Sequence, residues 1–111
     1  MSYPTLEFIE DLREEISKLV PFSELHGGKL SYDKFSEYLG MHTRYIRDTR
    51  FRIMNSNSPK YNPDFKFSED QLRDFIKSLS RKLRDIDISR CEEIVFKYIE
   101  KNELLKYQQQ Q

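Results

Sequence analysis

Alanine is absent from this chain, and so is tryptophan. Alanine is the best helix former and the usual filler where two helices cross closely. Here those positions must fall to serine, threonine and glycine, and the helices must draw their stability from tertiary packing. A single cysteine, Cys91, excludes an internal disulfide framework and a multi-cysteine zinc site. A lone thiol fits a reducing compartment. No apolar run approaches the roughly 20 residues that a membrane-spanning helix needs. The opening MSYPTLEFIEDL is acidic and amphipathic, unlike a secretory leader. A cytoplasmic protein with no membrane partner is expected. Neither sign of charge is in excess, with 19 Lys and Arg against 19 Asp and Glu. Net charge therefore gives no pointer to nucleic acid.

No catalytic constellation is visible either. His26 and His42 have no carboxylate or cysteine at a metal-ligand spacing. Cys91 has no histidine nearby in sequence, which favours a structural thiol. Pairs such as Glu14-Glu15 and Glu92-Glu93 read as solvated helix faces, and no glycine-rich loop is present to cradle a phosphate. A protein that is not an enzyme, with no cofactor and no metal, is the expectation.

What is present is helical periodicity and an uneven charge. With 111 residues and a hydrophobic fraction of 37%, there is material for one modest core. TLEFIEDLREEISKLV has Leu6, Ile9, Leu12, Ile16 and Leu19 at helical spacing, with Thr5 able to cap and Pro21 marking the end. Gly27 and Gly28 make a turn. Ser31 can cap a short helix, YDKFSEYL, ended by Gly40. Thr43 can cap a second, RYIRDTRFRIM, with Ile46, Ile53 and Phe51 on its inner side. NSNSPKYNPD reads as a loop. Tyr61, Phe65 and Phe67 alternate with polar residues around it, which suits a strand, a wing or aromatics pinning a loop. Ser68 and Gln71 resemble a capping box for SEDQLRDFIKSLSRKLRDI, striped by Leu72, Phe75, Ile76, Leu79 and Leu83. Ser89 opens a last helix through Ile94, Val95, Tyr98, Ile99 and Leu105. The run QQQQ at 108–111 reads as a disordered tail. The fold class is mainly α: a compact bundle of about five helices in one domain, 1–107, with at most a short β-hairpin wing.

Residues 1–29 carry three bases against six acids, residues 30–66 seven against four, and residues 67–111 nine against nine. The positive charge gathers on LSYDKFSEYLGMHTRYIRDTRFRI, residues 30–53, and the loop after it. In that stretch a small residue, Ser36, is followed four positions later by Gly40 and six beyond that by Ile46. Phe35, Leu39 and Met41 fill the flanking apolar positions. This pattern resembles the helix-turn-helix of DNA-binding proteins, over residues 31–54. In that motif the small residue permits a close crossing, the glycine takes the left-handed turn, and the branched residue pins the second helix to the core. The resemblance implies that helix 43–54 enters the major groove of double-stranded DNA in a small transcriptional regulator. Thr43, Arg44 and Arg47 would meet base edges and nearby phosphates. Tyr45, Arg50 and Arg52 would meet backbone phosphate. Lys60, Tyr61 and Lys66 would act as a wing. The last two helices would serve a homodimer, or fold back on the monomer.

A second likeness runs through TRYIRDTRFRIM and FSEDQLRDFIKSLSRKLRDI. An arginine-rich helix leading through a loop into a Ser-capped acidic helix is similar to a passage in the GINS subunits of the replicative helicase. CEEIVFKYIEKNELLKY is faintly similar to their closing helix. That likeness implies a non-enzymatic helical subunit of a replication or other nucleoprotein assembly, in which Arg47, Arg50 and Arg52 support protein contacts instead of DNA.

Overall fold

The computed structural model describes residues 2–105; the glutamine run at 108–111 lies outside them. Five α-helices follow one another: α1 (Thr5–Leu19), α2 (Tyr32–Tyr38), α3 (Thr43–Met54), α4 (Glu69–Lys82) and α5 (Ser89–Lys101), with one 3-10 turn at Phe22–Glu24. The protein is mainly α, as its periodicity predicts. Helix α1 packs on α5, α5 on α4, α4 on α2, and α2 on α3.

The helix starts follow local chemistry. Ser31 Oγ accepts the Lys34 N–H at 3.2 Å, and Ser68 Oγ accepts the Gln71 N–H at 3.2 Å, each satisfying an orphan donor of the first turn. Two expected caps are not caps. Thr43 is already helical, and the residue before it, His42, holds the extended backbone and accepts the Arg44 N–H on Nδ1 at 3.2 Å. Thr5 is likewise inside α1, preceded by Pro4. Its hydroxyl is used at long range, donating to the Phe65 carbonyl at 2.6 Å and bonding the Tyr98 hydroxyl at 2.6 Å. The Phe67 N–H closes the chain by donating to Tyr98 at 3.3 Å. This buried relay ties α1 and α5 to the loop that precedes α4.

No wing forms: among the described residues there is no strand after α3. Asn55 Oδ1, Ser58 Oγ and Asn62 Oδ1 each accept a backbone N–H two residues on, and Asn62 N–H donates to the Arg52 carbonyl at 2.9 Å. These local bonds consume the donors a hairpin would need. The aromatics pin the loop instead. Phe67 is buried, Phe65 half-buried, and Tyr61 exposed. The β-type pairing present among the described residues is a lone bridge, His26 to Lys29, around Gly27 and Gly28.

The missing alanine has a visible consequence. Ser17, Ser36, Thr49 and Ser78 take the buried close-packed helix positions. The three serines return their hydroxyl protons to backbone carbonyls: Ser17 to Arg13 at 2.7 Å, Ser36 to Asp33 at 2.8 Å, Ser78 to Tyr38 at 2.9 Å. The stripes of α4 and α5, which the sequence offers to a second copy, are buried within the chain. Leu72, Phe75, Leu79, Val95, Tyr98 and Ile99 all belong to the core. Cys91 is buried, and burial, helped by Glu15 and Glu92, pushes its thiol up to about 12, which favours the neutral thiol.

Burial also raises the phenols of Tyr3, Tyr32, Tyr38 and Tyr98, Tyr38 to about 12. Tyr3, Tyr32 and Tyr38 add hydrogen bonds to the carboxylates of Asp11, Glu10 and Glu24. A phenol whose folded value lies above its unfolded value of about 10 stabilises the fold fully below that pH. The contribution is lost as pH rises toward the folded value. Alkaline titration of tyrosinate absorbance should therefore show these four ionising only above about pH 10, together with loss of helix. Ionisation of all the tyrosines near pH 10 with the helices intact would contradict the assignment.

Candidate nucleic-acid interface

The corner between α2 and α3 is built backbone first. The Gly40 N–H donates to the Glu37 carbonyl at 3.0 Å and the Met41 N–H to the Ser36 carbonyl at 2.9 Å. This paired closure is a Schellman ending, and its left-handed residue is Gly40 at φ +74°. A Cβ at Gly40 would stand 2.9 Å from Ser78 Oγ on α4, so the turn is wedged against the bundle as well as bent. Ser36 and Ile46 are fully buried. Glycine, small residue and branched residue thus do locally what their spacing predicts.

Ile46, Thr49 and Ile53 face the core. At about 100° per residue, the opposite side of α3 presents Arg44, Arg47, Asp48 and Phe51, and all four are exposed. Arg44 has no ion pair among the described residues. Arg47 pairs with Asp33 of α2 at 3.1 Å, both ends in solvent. Such a pair is weak and free to exchange for another anion.

The other candidate residues divide. Arg50 turns back over the Tyr32 ring, 4.4 Å from its centroid, and Arg13 lies over the same ring at 4.3 Å. The Tyr32 hydroxyl donates to Glu10 at 2.5 Å, and Arg13 Nε donates to Glu10 at 2.9 Å. Burial pushes the Glu10 carboxyl up, but the hydrogen bonds from Arg13 and Tyr32 outweigh it and hold Glu10 below the usual carboxylate range. Arg50 is therefore half-buried and turned toward the molecule, joining α3 to α2 through the Tyr32 ring. Tyr45 is half-buried, its hydroxyl accepting from Gln71 Nε2 at 2.8 Å. Arg52 lies over the Phe65 ring at 5.3 Å. Thr43 and Lys66 are half-buried, while Lys60 and Tyr61 are exposed. Arg44, Arg47 and Lys60 remain as the outward cations of this region.

Phe51, which its residue type places on the inner side, is on the outer one, 56% exposed, with Met54 beside it at 62%. Simple helical arithmetic finds this: five residues beyond Ile46 is about 140° away from the core. Phe51 forms one wall of a shallow cleft of about 370 Å³ whose other residues are Asp48, Arg52, Ser58, Pro59 and Lys60. His42 caps α3 and His26 sits at the Gly27–Gly28 turn, so the two histidines have separate structural places. No helix among the described residues is long and apolar enough to cross a membrane. No family model, curated protein or solved structure matches the chain.

Proposed function

We propose that this chain is a small DNA-binding protein of the helix-turn-helix kind, a transcriptional regulator that lays α3 in the major groove. The observation that supports it most is the corner itself. The left-handed Gly40, the buried Ser36 and the buried Ile46 hold α3 so that Arg44 and Arg47 project from its first two turns, opposite the core. Residues there meet base edges in such a helix, and arginine matches the two acceptors of guanine. Lys60 lies beyond the C-terminal half of the same face, where a phosphate backbone would pass.

The test is binding to mixed-sequence duplex DNA as a function of salt. Log affinity should fall against log salt with a slope of about −0.9 for each phosphate neutralised. Arg44→Ala/Arg47→Ala should reduce that slope by about two and the affinity by about tenfold or more, with the helix content unchanged. A folded protein that binds no duplex at low salt would overturn the proposal.

A second reading is favoured by the exposed Phe51, Met54 and Tyr61 and by the inward turn of Arg50. An apolar patch rimmed by charge suits a protein partner. On that reading the chain is a non-enzymatic helical subunit of a replication or other nucleoprotein assembly, and the same face of α3 meets protein.

A further inference from the structure

Phe51 and Met54 are large apolar side chains on the solvent side of an otherwise charged helix, left exposed by all the described residues around them. Phe51 lies on the same outward stripe as Arg44, two helical turns along, with Asp48 between them. Asp48 argues against a face that merely tracks phosphates, because its carboxylate would be repelled by them. It suits base edges instead, where a carboxylate accepts from the cytosine amino group. The only methyl group the major groove displays is the thymine 5-methyl. An exposed phenyl ring flanked by Arg52 and Lys60 therefore has one apolar target in duplex DNA.

We infer that α3 reads a thymine methyl through Phe51, assisted by Met54, in a site whose guanine is read by Arg44 or Arg47. This rests on the DNA-binding proposal above. From Arg44 to Phe51 the helix rises about 10 Å, which is about three base-pair steps. The thymine contact then falls about three base pairs from the guanine contact. The basic and apolar sides of the cleft act together, Lys60 holding the backbone while the ring reads the groove.

The experiment enriches bound duplexes from a random library, then resynthesises the enriched duplexes with uracil in place of thymine. Uracil removes the 5-methyl and leaves the base-pairing edge unchanged. The wild-type protein should bind the uracil duplex about fourfold more weakly for each methyl group buried. Phe51→Ala should bind thymine and uracil duplexes equally, while Arg44→Ala keeps the preference at lower affinity. Phe51 is exposed, so its replacement leaves the core intact, which circular dichroism checks. Salt-sensitive DNA binding with no thymine preference, or with no enrichment, would overturn the inference and leave the DNA-binding proposal standing. No binding of any duplex by the folded protein would overturn both, and would assign the patch to a protein partner.

Discussion

Phe67→Ala should destabilise the protein by about 3–5 kcal/mol. Phe67 precedes the cap of α4 and is 1% exposed. Its ring meets Phe75 at 5.3 Å, Phe65 at 5.4 Å, Phe8 at 6.0 Å, Tyr98 at 6.2 Å and Tyr45 at 6.4 Å between centroids. Those partners come from α1, α3, α4, α5 and the loop, so one ring joins every long helix. Removing it leaves a cavity that five separately anchored elements cannot close together. The transfer cost and the cavity cost then both apply in full. Against the roughly 5–15 kcal/mol that holds a domain of this size together, the loss is large. Chemical denaturation measures it. Phe67→Leu, which keeps most of the volume, should cost under about 1.5 kcal/mol. A Phe67→Ala loss below about 1 kcal/mol would mean that the loop packs far less tightly than its geometry indicates.

Gly40→Val should cost about 2–5 kcal/mol of stability, and with it the DNA binding we propose. Two separable causes act at this position. The backbone sits at φ +74°, where a side chain other than hydrogen costs about 1–2 kcal/mol. A Cβ also meets Ser78 Oγ at 2.9 Å and Ser78 Cβ at 3.1 Å. Gly40→Ala isolates the smaller case, and a cycle with Ser78→Ala separates the causes. Ser78→Ala alone should cost about 1 kcal/mol, because the Tyr38 carbonyl loses its donor. If the hydroxyl is the obstacle, Gly40→Ala/Ser78→Ala should be more stable than the sum of the two single losses. Strict additivity would clear the hydroxyl and leave the effect to the backbone and to the Ser78 Cβ, which alanine keeps.

The five helices are legible in the sequence because their stripes are long and regular, and because Ser31 and Ser68 sit where a first turn needs an acceptor. The corner is legible because glycine, small residue and branched residue each have one local reason for their spacing. Other features depend on partners distant in sequence. Thr5 looks like a cap, yet its oxygen bonds Tyr98, 93 residues away. Arg50 looks like an outward cation, yet a tyrosine 18 positions earlier draws it in. Phe51 misleads for the opposite reason, since its residue type outweighs a helical phase that already points outward. The loop 55–67 keeps its alternating aromatics without pairing, because asparagine and serine side chains take the backbone donors.

The pairing of α1 with α5 has a consequence for how the chain is made. Asn102 donates to the Tyr3 carbonyl at 3.0 Å, across 99 residues, so the first helix docks on the last. At a synthesis rate of about 5–20 residues per second, α1 waits roughly 5–20 seconds for that partner. Throughout that wait Phe8, Ile9, Leu12 and Ile16 have no completed core to enter, and nascent-chain chaperones have a ready target. Closure over such a sequence separation also slows folding relative to a bundle of neighbouring hairpins. Translation halted before Tyr98 yields a chain whose aromatic centre lacks the ring that Phe8 and Phe67 pack against.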